Sequence, residues 1–334
     1  MGSWRKLLLP FSWIYGAIIL VRNYLFDVQV LKSVRYNFPV ICIGNLSVGG
    51  TGKTPMTEYV AKLLNVSYKT AILSRGYKRS SKGFVLASED TTVEIIGDEP
   101  FQYFQKLKGV TVAVDENRQH GISELQQTLN PDVVILDDAF QHRKVTAGLN
   151  ILLTMYGDLY VDDLLLPAGN LRDLKSQARR AAIIVVTKCP IDLEEIEKQE
   201  IKRKLRLRAG QQVFFSTIAY QKEFLGSQSQ LSLAAIKDKN FTVVTGIANP
   251  APFLSYLKGQ GLQFEHLKYR DHHKFSAREI DTLKKKELIV TTEKDYVRLA
   301  PELNNVVYLP IKTTFLDGKE AFDAAILNFV QNHG

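Results

Sequence analysis

A glycine-rich segment between an apolar run and a helical pattern constrains the fold of this chain more than any other feature. The segment consists of Gly49, Gly50, Thr51, Gly52, Lys53 and Thr54. Glycines at a turn from a strand into a helix let backbone N–H groups converge on phosphate, and the helix N-terminus favours negative charge. Lys53 supplies a positive charge for the outer phosphates, and the Thr54 hydroxyl can bind Mg²⁺. The chain has Ser47 where the strict P-loop pattern requires glycine, but the segment still predicts a nucleoside triphosphate site.

Short apolar runs alternate with helical patterns along the chain. A helical pattern begins near Lys53, with apolar residues repeating on one face at the spacing of an α-helix. The apolar runs around it are Pro39–Ile43, Thr70–Leu73, Val110–Val114, Val133–Leu136, Leu149–Thr154 and Ile183–Thr187. Continuous apolar strands separated by helices are typical of a parallel sheet that is covered on both faces. We therefore predict an α/β fold with a P-loop NTPase-like parallel sheet covered by helices.

A second series of the same kind follows, with apolar runs at Phe241–Thr245, Leu288–Thr292 and Val306–Leu309. Between the two series, Gly226–Ser232 is rich in Gly, Ser and Gln, a composition typical of a hinge. The length of 334 residues also favours two domains of moderate size. We predict a core domain at residues 38–222 and a second, smaller α/β domain at residues 223–334 that closes over the cleft.

The N-terminal segment, residues 1–37, is unusually apolar. Leu7–Val21 carries no charge, Arg5 and Lys6 precede it, Arg22 follows it, and aromatic residues are interleaved. The run is shorter than the about 18 residues expected of a membrane span, and it contains a proline and a glycine. We predict a helix that lies in the membrane interface, with its basic residues facing anionic lipid. The alternative is a helix packed on the protein's own core.

The charge balance and the cysteine count narrow the class of partner and compartment. The chain has 43 Lys and Arg against 35 Asp and Glu, a net charge of +8. This excess suits an anionic partner, such as a phosphorylated substrate, an anionic membrane or nucleic acid. No stripe of basic and aromatic residues occurs outside the N-terminus, so we expect no nucleic-acid partner. The two cysteines, Cys42 and Cys189, lie in or beside apolar runs and fit a reducing compartment.

Two acids follow the apolar run Val133–Leu136, namely Asp137 and Asp138. A carboxylate just beyond the carboxyl end of a strand, downstream of a P-loop, is typical of the Walker B position that binds Mg²⁺ directly or through water. We predict a magnesium site made by Thr54, Asp137 and Asp138. The pattern does not say which aspartate touches the metal directly.

Three further motifs remain ambiguous on pattern alone. Asp98 and Glu99 place two carboxylates in a turn before a helical stretch, and Asp271-His272-His273 places an acid beside two imidazoles. The second group fits a metal half-site, a catalytic or orienting pair, or a capped turn with surface histidines. Thr187-Lys188 faintly resembles the base-binding motif of GTPases, but it lacks the Asn and the Asp, which argues against guanine specificity.

Several collinear segments together resemble a particular family. They are Gly44-Asn45, Val48–Pro55, Ser74–Tyr77, Gly97–Pro100, Asp137–His142, Leu166–Arg172 and Asp271–His273, in addition to the apolar N-terminus. This set resembles the tetraacyldisaccharide 4'-kinases, the lipid A 4'-kinases of Gram-negative bacteria, over nearly the whole chain. One departure is that Asp173-Leu174 stand where the family usually has Glu and Pro.

The resemblance implies an ATP- and Mg²⁺-dependent kinase that phosphorylates the 4'-hydroxyl of tetraacyldisaccharide 1-phosphate. It implies that Asp98 is the catalytic acid/base, assisted by His272, and that the P-loop with Asp137 and Asp138 binds phosphate and magnesium. The substrate-binding residues it implies are Asn45, Arg75, Arg118, His142 and Arg172. It also implies a monomer bound peripherally, through its N-terminal segment, to the cytoplasmic face of the inner membrane.

The main alternative is a P-loop GTPase or ATPase that works as a switch or metallochaperone. Such proteins share the Gly-Gly-x-Gly-Lys-Thr sequence, usually have Lys where Val48 stands, and often dimerise. Brisk GTP hydrolysis without an acceptor would favour this alternative over a kinase.

Overall fold

A computed structural model of the protein describes residues 3–226 and 230–333. Part of the predicted hinge, residues 227–229, lies outside them. The described strands, numbered in chain order, are β1 (Val34–Arg35), β2 (Val40–Asn45), β3 (Thr70–Ser74), β4 (Val85–Leu86), β5 (Thr111–Val114), β6 (Val133–Asp137), β7 (Val145–Thr146), β8 (Leu149–Met155), β9 (Ile183–Thr187), β10 (Gln212–Tyr220), β11 (Glu223–Leu225), β12 (Gln230–Ser232), β13 (Thr242–Thr245), β14 (Glu265–Lys268), β15 (Ile289–Thr291), β16 (Val306–Tyr308) and β17 (Ile311–Phe315).

Helices alternate with these strands, as the sequence pattern predicts. The described α-helices are α1 (Leu9–Asp27), α2 (Lys53–Leu64), α3 (Val93–Ile96), α4 (Asp98–Lys106), α5 (Arg118–Thr128), α6 (Glu195–Leu205), α7 (Leu233–Lys237), α8 (Ala251–Gly259), α9 (Ala277–Lys284), α10 (Glu293–Leu299) and α11 (Lys319–Gln331). Short 3₁₀ helices occupy Ser3–Leu8 and Lys175–Arg180.

The first sheet has nine strands in the order β17-β10-β9-β8-β2-β6-β3-β5-β4. The seven strands from β10 to β5 are parallel, and β17 and β4 pair antiparallel at the two edges. The central strands β2, β3, β6 and β9 are buried along their whole length. Two hydrophobic clusters, one on each face, contain alternate residues of these strands. This is the mixed α/β architecture with a largely parallel sheet that the sequence predicts.

The second sheet has six strands in the order β12-β11-β16-β15-β13-β14. Strands β13, β14, β15 and β16 are parallel, and two further clusters pack against it. The chain then returns, because β17 pairs with β10 and α11 contacts α2. The predicted domain limits of 38–222 and 223–334 remain a prediction, but residues 311–331 lie on the first sheet rather than the second.

Helix α1 has an inverted distribution of polar and apolar residues. Its buried residues include Ser12, Gly16 and Asn23, whereas large apolar and aromatic residues are exposed: Phe11, Trp13, Ile14, Ile18, Leu20, Val21 and Tyr24. Only 11% of its most apolar 18-residue window is buried. By length and composition alone, Arg5–Asp27 could cross a membrane. Pro10 does not interrupt the helix because it lies in the first turn, where no intrahelical donor is required.

Candidate active site

The glycine-rich segment forms a loop between β2 and α2, at the carboxyl edge of the parallel sheet. Gly49 and Gly52 have φ angles of +113° and +84°, a region that L side chains rarely adopt, which explains why glycine is required at both positions. The amide of buried Asn45 donates a hydrogen bond to Thr51 Oγ1 at 2.9 Å, and Thr187 Oγ1 donates to the Thr51 carbonyl at 2.7 Å. These side chains fix the loop from both sides.

Lys53 lies at the first position of α2, between an amide and a carboxylate. Its Nζ is 3.4 Å from Asn45 Oδ1 and 3.7 Å from Asp138 Oδ2. Arg172 donates hydrogen bonds to Asp138 Oδ2 at 3.2 Å and to Oδ1 at 2.7 Å, and it also binds Asn45 Oδ1. Burial would raise the pKa of Asp138, but the charges of Lys53 and Arg172 hold that pKa below its usual value.

Asp137, the last residue of β6, is buried beside Asp138. It accepts hydrogen bonds from Thr57 Oγ1 at 3.3 Å and from Ser74 Oγ at 3.2 Å. Burial, followed by the negative charge of Asp138, raises the pKa of Asp137 to about 6. A cation bound beside Asp137 and Asp138 would favour the ionised form of Asp137, against the effects of burial and of the neighbouring negative charge.

The oxygen atoms of Thr54, Asp137 and Asp138 are the donor type that Mg²⁺ prefers. Among residues 3–226 and 230–333, no group of three or more His, Cys, Asp or Glu side chains is arranged to hold a metal ion. Mg²⁺ is usually bound through one or two carboxylates together with substrate phosphates, rather than by an all-protein cage. The donor set therefore fits magnesium bound with a nucleotide.

The two acid and histidine motifs that were separate in sequence meet in the structure. Asp98 begins α4, beside the first sheet, and His272 lies in the loop after β14 of the second sheet. Asp98 Oδ2 and His272 Nδ1 are 2.7 Å apart. His272 has a φ of +58°, an uncommon backbone conformation for a non-glycine residue that is frequent at functional sites. His273 points elsewhere and contacts Glu279 at 3.1 Å, so the two histidines have different surroundings.

Sequence reasoning missed two basic residues on α10. Arg298 Nε donates to Asp98 Oδ1 at 2.8 Å, and its Nη2 binds Asp98 Oδ2. Lys294 Nζ lies 2.9 Å from His272 Nε2. Burial alone would raise the pKa of Asp98, but the hydrogen bonds from His272 and Arg298 and the Arg298 charge place it well below its usual value. The sequence did contain a signal for this second group of charged residues. The apolar run Leu288–Thr292 is followed by Glu293, Lys294 and Asp295, as the run Val133–Leu136 is followed by Asp137 and Asp138.

Asp98 begins α4 close to the carboxyl ends of β3 and β6. Gly97, which precedes Asp98, packs against the backbone of Gly76 and Tyr77 just after β3. Ser74, the last residue of β3, donates a hydrogen bond to Asp137 at 3.2 Å. The Asp98–His272 pair therefore lies at the same end of the first sheet as Asp137.

The other predicted substrate contacts lie near the Walker B acids. Arg118 is buried at the start of α5 and donates to the Asp115 carbonyl at 3.0 Å. His142 Nε2 is buried and has no hydrogen-bond partner among the described residues. Burial, with the charges of Arg118, Lys144, Arg22 and Arg75, lowers the pKa of His142 to about 4. Arg75 is exposed after β3. Together these residues form a positively charged region with a neutral imidazole.

Asp173, the departure noted in the sequence, is completely buried and faces α1. Its Oδ1 accepts a hydrogen bond from Asn23 Nδ2 at 2.7 Å and from the Leu174 backbone at 2.8 Å. Tyr15, also on α1, donates to the Arg172 carbonyl at 2.8 Å. The N-terminal helix is therefore hydrogen-bonded to the segment that carries Arg172.

Comparisons with known proteins identify relatives of the whole chain. The family model described as "Tetraacyldisaccharide-1-P 4'-kinase" matches residues 4–331. Proteins named tetraacyldisaccharide 4'-kinase are similar over the full length: one from Flavobacterium johnsoniae is 50% identical, over 100% of this chain and 99% of its own, and one from Bacteroides thetaiotaomicron is 47% identical, over 98% and 94%.

A solved structure is similar as well. The "apo" form of LpxK from Aquifex aeolicus in complex with ATP superposes with a TM-score of 0.82 at 34% identity, covering 98% of this chain and 100% of that one. Because the family match and these relatives span essentially the whole chain, the protein belongs to the tetraacyldisaccharide-1-P 4'-kinase family.

Proposed function

We propose that the protein transfers the γ-phosphoryl group of ATP to the 4'-hydroxyl of tetraacyldisaccharide 1-phosphate, in lipid A biosynthesis. Family membership over the whole chain supports this reaction, and the relative of known structure is described in complex with ATP. The observation that carries the proposal is the 2.7 Å contact between Asp98 and His272, which joins two motifs that are far apart in the sequence. A nucleotide switch would need no such acid–base pair.

The phosphate half of the site is Gly49–Thr54 with Lys53 as its point charge. Thr54, Asp137 and Asp138 would hold Mg²⁺, which supplies charge neutralisation to the phosphates when bound. Lys53 is already oriented by Asn45 and Asp138, so little reorganisation is needed when a phosphate binds. Phosphoryl transfer depends mainly on such positioning and on charge stabilisation.

The acceptor half is the Asp98–His272 pair. A sugar hydroxyl has a high pKa, so its proton must pass to a base as the bond to phosphorus develops. The lowered pKa of Asp98 ensures that its carboxylate is ionised and able to accept that proton. Because the transition state of phosphoryl transfer is loose, the proton moves late, and a weak but well-placed base suffices.

Asn45, Arg75, Arg118, His142 and Arg172 are the proposed contacts to the phosphate groups and the sugar. Arg172 holds Asp138 and Asn45 in the structure, so it links the metal site to the loop. His142 is half-buried, and its buried Nε2 has no hydrogen-bond partner among the described residues, so it offers a neutral imidazole among positive charges. Such a region suits an anionic, hydroxyl-rich ligand.

Helix α1 is the proposed contact with the membrane. Its exposed residues are apolar and aromatic, and its polar residues bond to the protein, which is the reverse of a helix packed on a soluble core. Burial of this face in the interface would bring the cleft to an acceptor that stays in the bilayer. The net charge of +8 favours the anionic cytoplasmic leaflet of the inner membrane. We expect peripheral binding, and a monomer remains a prediction.

The experiment is transfer of labelled phosphate from ATP to tetraacyldisaccharide 1-phosphate in mixed micelles, read by thin-layer chromatography. Asp98→Ala should lower kcat by roughly 10²- to 10⁴-fold and leave ATP affinity nearly unchanged, because a general base acts in the transition state. Asp90→Ala, at an exposed aspartate, is the control. If GTP were hydrolysed briskly without acceptor and no lipid became labelled, the nucleotide-switch alternative would replace this proposal.

A further inference from the structure

Helix α10 approaches the Asp98–His272 pair with two basic residues spaced i and i+4, Lys294 and Arg298. Residues with this spacing lie on one face of a helix. Lys294 contacts the imidazole and Arg298 contacts the carboxylate, so each partner of the pair has its own cation. Both cations lie on α10, which follows β15 of the second sheet, whereas Asp98 lies on α4 beside the first sheet.

Hydrogen-bonding capacity fixes the tautomer of His272 in this arrangement. A lysine ammonium can only donate, so His272 Nε2, 2.9 Å from Lys294 Nζ, must be the acceptor and lack a proton. His272 Nδ1 then carries the proton and donates it to Asp98 Oδ2 at 2.7 Å. Arg298 Nη2 is 3.0 Å from the same Nδ1, but since both atoms are donors, this is a close approach rather than a hydrogen bond.

Arg298 fixes the other partner. Its Nε and Nη2 bind both oxygens of Asp98, a two-pronged contact that defines the plane of the carboxylate. The arginine side chain is only 9% exposed, so solvent screens this contact weakly. Its Nη1 lies 3.7 Å from Asp295 Oδ1, one turn earlier on α10. The guanidinium is thus held by its own helix while it holds Asp98.

The same helix supports the backbone of His272. Asp295 is completely buried and accepts a hydrogen bond from the Gly246 N–H at 2.9 Å. The Gly246 carbonyl in turn accepts from the His272 N–H at 3.1 Å. Helix α10 therefore contacts the imidazole and the carboxylate directly, and it supports the backbone of His272 indirectly, through Gly246.

We propose that Lys294 and Arg298 are positioning residues, which hold His272 in the Nδ1–H tautomer and Asp98 in a fixed orientation for proton acceptance. The inference rests on the proposed function, in which this pair serves the acceptor hydroxyl. Neither residue needs to touch substrate. Because Asp98 lies on α4 and the two cations lie on α10, the orientation of the base depends on the packing of these two helices.

Arg298 also sets the pH range of the pair. The groups facing Asp98 and His272 are Arg298, Lys294, Glu99, Asp271, Asp295 and Tyr77. Asp98 must be ionised to accept a proton, and Arg298 favours the ionised form. His272 and Arg298 together hold the pKa of Asp98 down against burial, so removal of Arg298 should raise that pKa and move the acid limb of kcat/KM to higher pH.

The first test observes the tautomer without measuring activity. Full-length protein labelled with carbon-13 and nitrogen-15 histidine is studied by NMR, and the His272 signals are assigned by their loss in His272→Gln. The wild type should show the Nδ1–H tautomer, and Lys294→Met, which cannot donate, should show a mixture or the Nε2–H form. Lys285→Met, at an exposed lysine, should leave the signals unchanged. An identical tautomer in Lys294→Met and wild type would overturn the role of Lys294.

The second test separates charge from geometry at Arg298. Arg298→Met should lower kcat by roughly 10- to 100-fold, with ATP affinity unchanged, and shift the acid limb upward. Arg298→Lys keeps the positive charge but cannot bind both oxygens of Asp98 in the two-pronged way of a guanidinium. Compared with Arg298→Met, it should return the acid limb to its wild-type pH but recover only part of kcat. If Arg298→Met does not fold, Arg298→Lys alone decides, because wild-type kcat in that variant would overturn the two-pronged role.

The outcomes also separate this inference from the proposed function. If Asp98→Ala and His272→Gln keep full kinase activity, the pair is not catalytic and the proposed function of these residues fails. If those variants lose activity while Arg298→Met keeps both kcat and the wild-type pH profile, the pair is catalytic but Arg298 does not position it. A loss of ATP affinity in Lys294→Met, at unchanged tautomer, would instead place Lys294 on the phosphates.

Discussion

Lys53 illustrates how a single residue serves the proposed chemistry before any ligand binds. Its ammonium is 3.4 Å from Asn45 Oδ1 and 3.7 Å from Asp138 Oδ2, so a neutral amide and a carboxylate hold it above the loop. Preorganised charge of this kind costs little rearrangement at the moment of reaction. We therefore expect the lysine to contribute to nucleotide binding in the ground state and to charge stabilisation in the transition state.

Replacement of Lys53 should affect both steps. Lys53→Met removes the charge but keeps much of the chain length, so we expect weaker ATP binding and a kcat lower by roughly 10²-fold or more. Equilibrium binding of ATP and the lipid phosphorylation assay measure the two effects. Lys62→Met, at an exposed lysine on the same helix, is the matched control. Wild-type affinity and rate in Lys53→Met would remove the P-loop assignment.

The positions of candidate site residues were predictable where the signal is local. The P-loop and Asp137-Asp138 each follow an apolar strand directly, so their position at the carboxyl edge of the sheet can be predicted from short stretches of sequence. The contact between Asp98 and Arg298 joins residues 200 positions apart and depends on how the two sheets face each other. No periodicity reports that arrangement, and the Asp98–His272 pairing was expected only through the family resemblance.

At the scale of elements, Asn23 explains how an apolar helix docks through polar atoms. Its side chain donates to buried Asp173, and its carbonyl accepts from Arg143 at 2.9 Å. A buried carboxylate that loses its donor costs more than a neutral group would. The family usually has Glu where Asp173 stands. The shorter side chain of Asp173 contacts Asn23 on α1.

Asn23→Leu should therefore loosen α1. We expect the free energy of unfolding to fall by about 1–3 kcal/mol, because Asp173 Oδ1 loses a donor in a completely buried site. Urea denaturation of the full-length protein in detergent measures the change. Tyr24→Leu alters the neighbouring residue on the exposed face and should have little effect. Equal stability of the Asn23 variant and wild type would show that the contact contributes nothing net.

A buried ion cluster joins three helices at the junction of the two sheets. Lys106 Nζ lies 2.6 Å from both Glu58 and Glu293, which belong to α2 and α10, and Gln102 donates to Glu58 at 2.8 Å. Two carboxylates share one ammonium, so one negative charge is in excess. Burial, and then the charge of Glu58, raises the pKa of Glu293 to about 7.

The raised pKa predicts the pH dependence of stability. A carboxyl whose pKa is higher in the folded state than its ordinary value near 4.5 binds its proton more tightly when folded. Protonated Glu293 therefore stabilises the folded state at low pH. This contribution to the free energy of unfolding is lost as the pH rises from about 4.5 to about 7. Glu293→Gln cannot ionise, so its Tm relative to wild type should increase between pH 5.5 and pH 8.

Thermal unfolding of both proteins at the two pH values measures this difference. Glu302→Gln, at an exposed glutamate after α10, should shift Tm equally at both. A Tm difference for Glu293→Gln that stays constant, or that falls with pH, would show that Glu293 is ionised across the range and that Lys106 neutralises it.

At the scale of the whole molecule, the chain crosses between the sheets more than once. Most parallel strands of both sheets were predictable because they are short apolar runs bounded by helical patterns. The exceptions are β10 and β14, which also pair in parallel but which no such run predicted. The return of β17 to the first sheet was not predictable, since Ile311–Phe315 has three polar residues between its two apolar ends and no distinctive pattern. It becomes the outer strand by pairing antiparallel with β10, which depends on tertiary geometry.

The overall distribution of exposed apolar residues predicts how the molecule meets its membrane. Four exposed side chains lie on α1 within three turns: Phe11, Trp13, Ile14 and Ile18. Each methylene group that these side chains bury in the membrane contributes roughly 0.8 kcal/mol to binding. Replacing all four residues by Ser removes that contribution, so the fraction of protein bound to anionic vesicles should fall strongly. Vesicle sedimentation measures the bound fraction, and the KM for the lipid acceptor should rise while ATP affinity in solution stays the same.

A control variant distinguishes binding through α1 from nonspecific binding through exposed apolar residues elsewhere on the protein. Val66, Ile191 and Ile196 are also large, apolar and exposed, at 83%, 84% and 67%, but they lie away from α1 in the sequence and on other elements. Their replacement by Ser should leave vesicle binding unchanged if α1 is the contact. Equal losses in both variants would mean that binding follows total exposed apolar area. Retained binding in the α1 variant would assign the interaction to the basic residues alone, because the charge of +8 would then suffice without insertion.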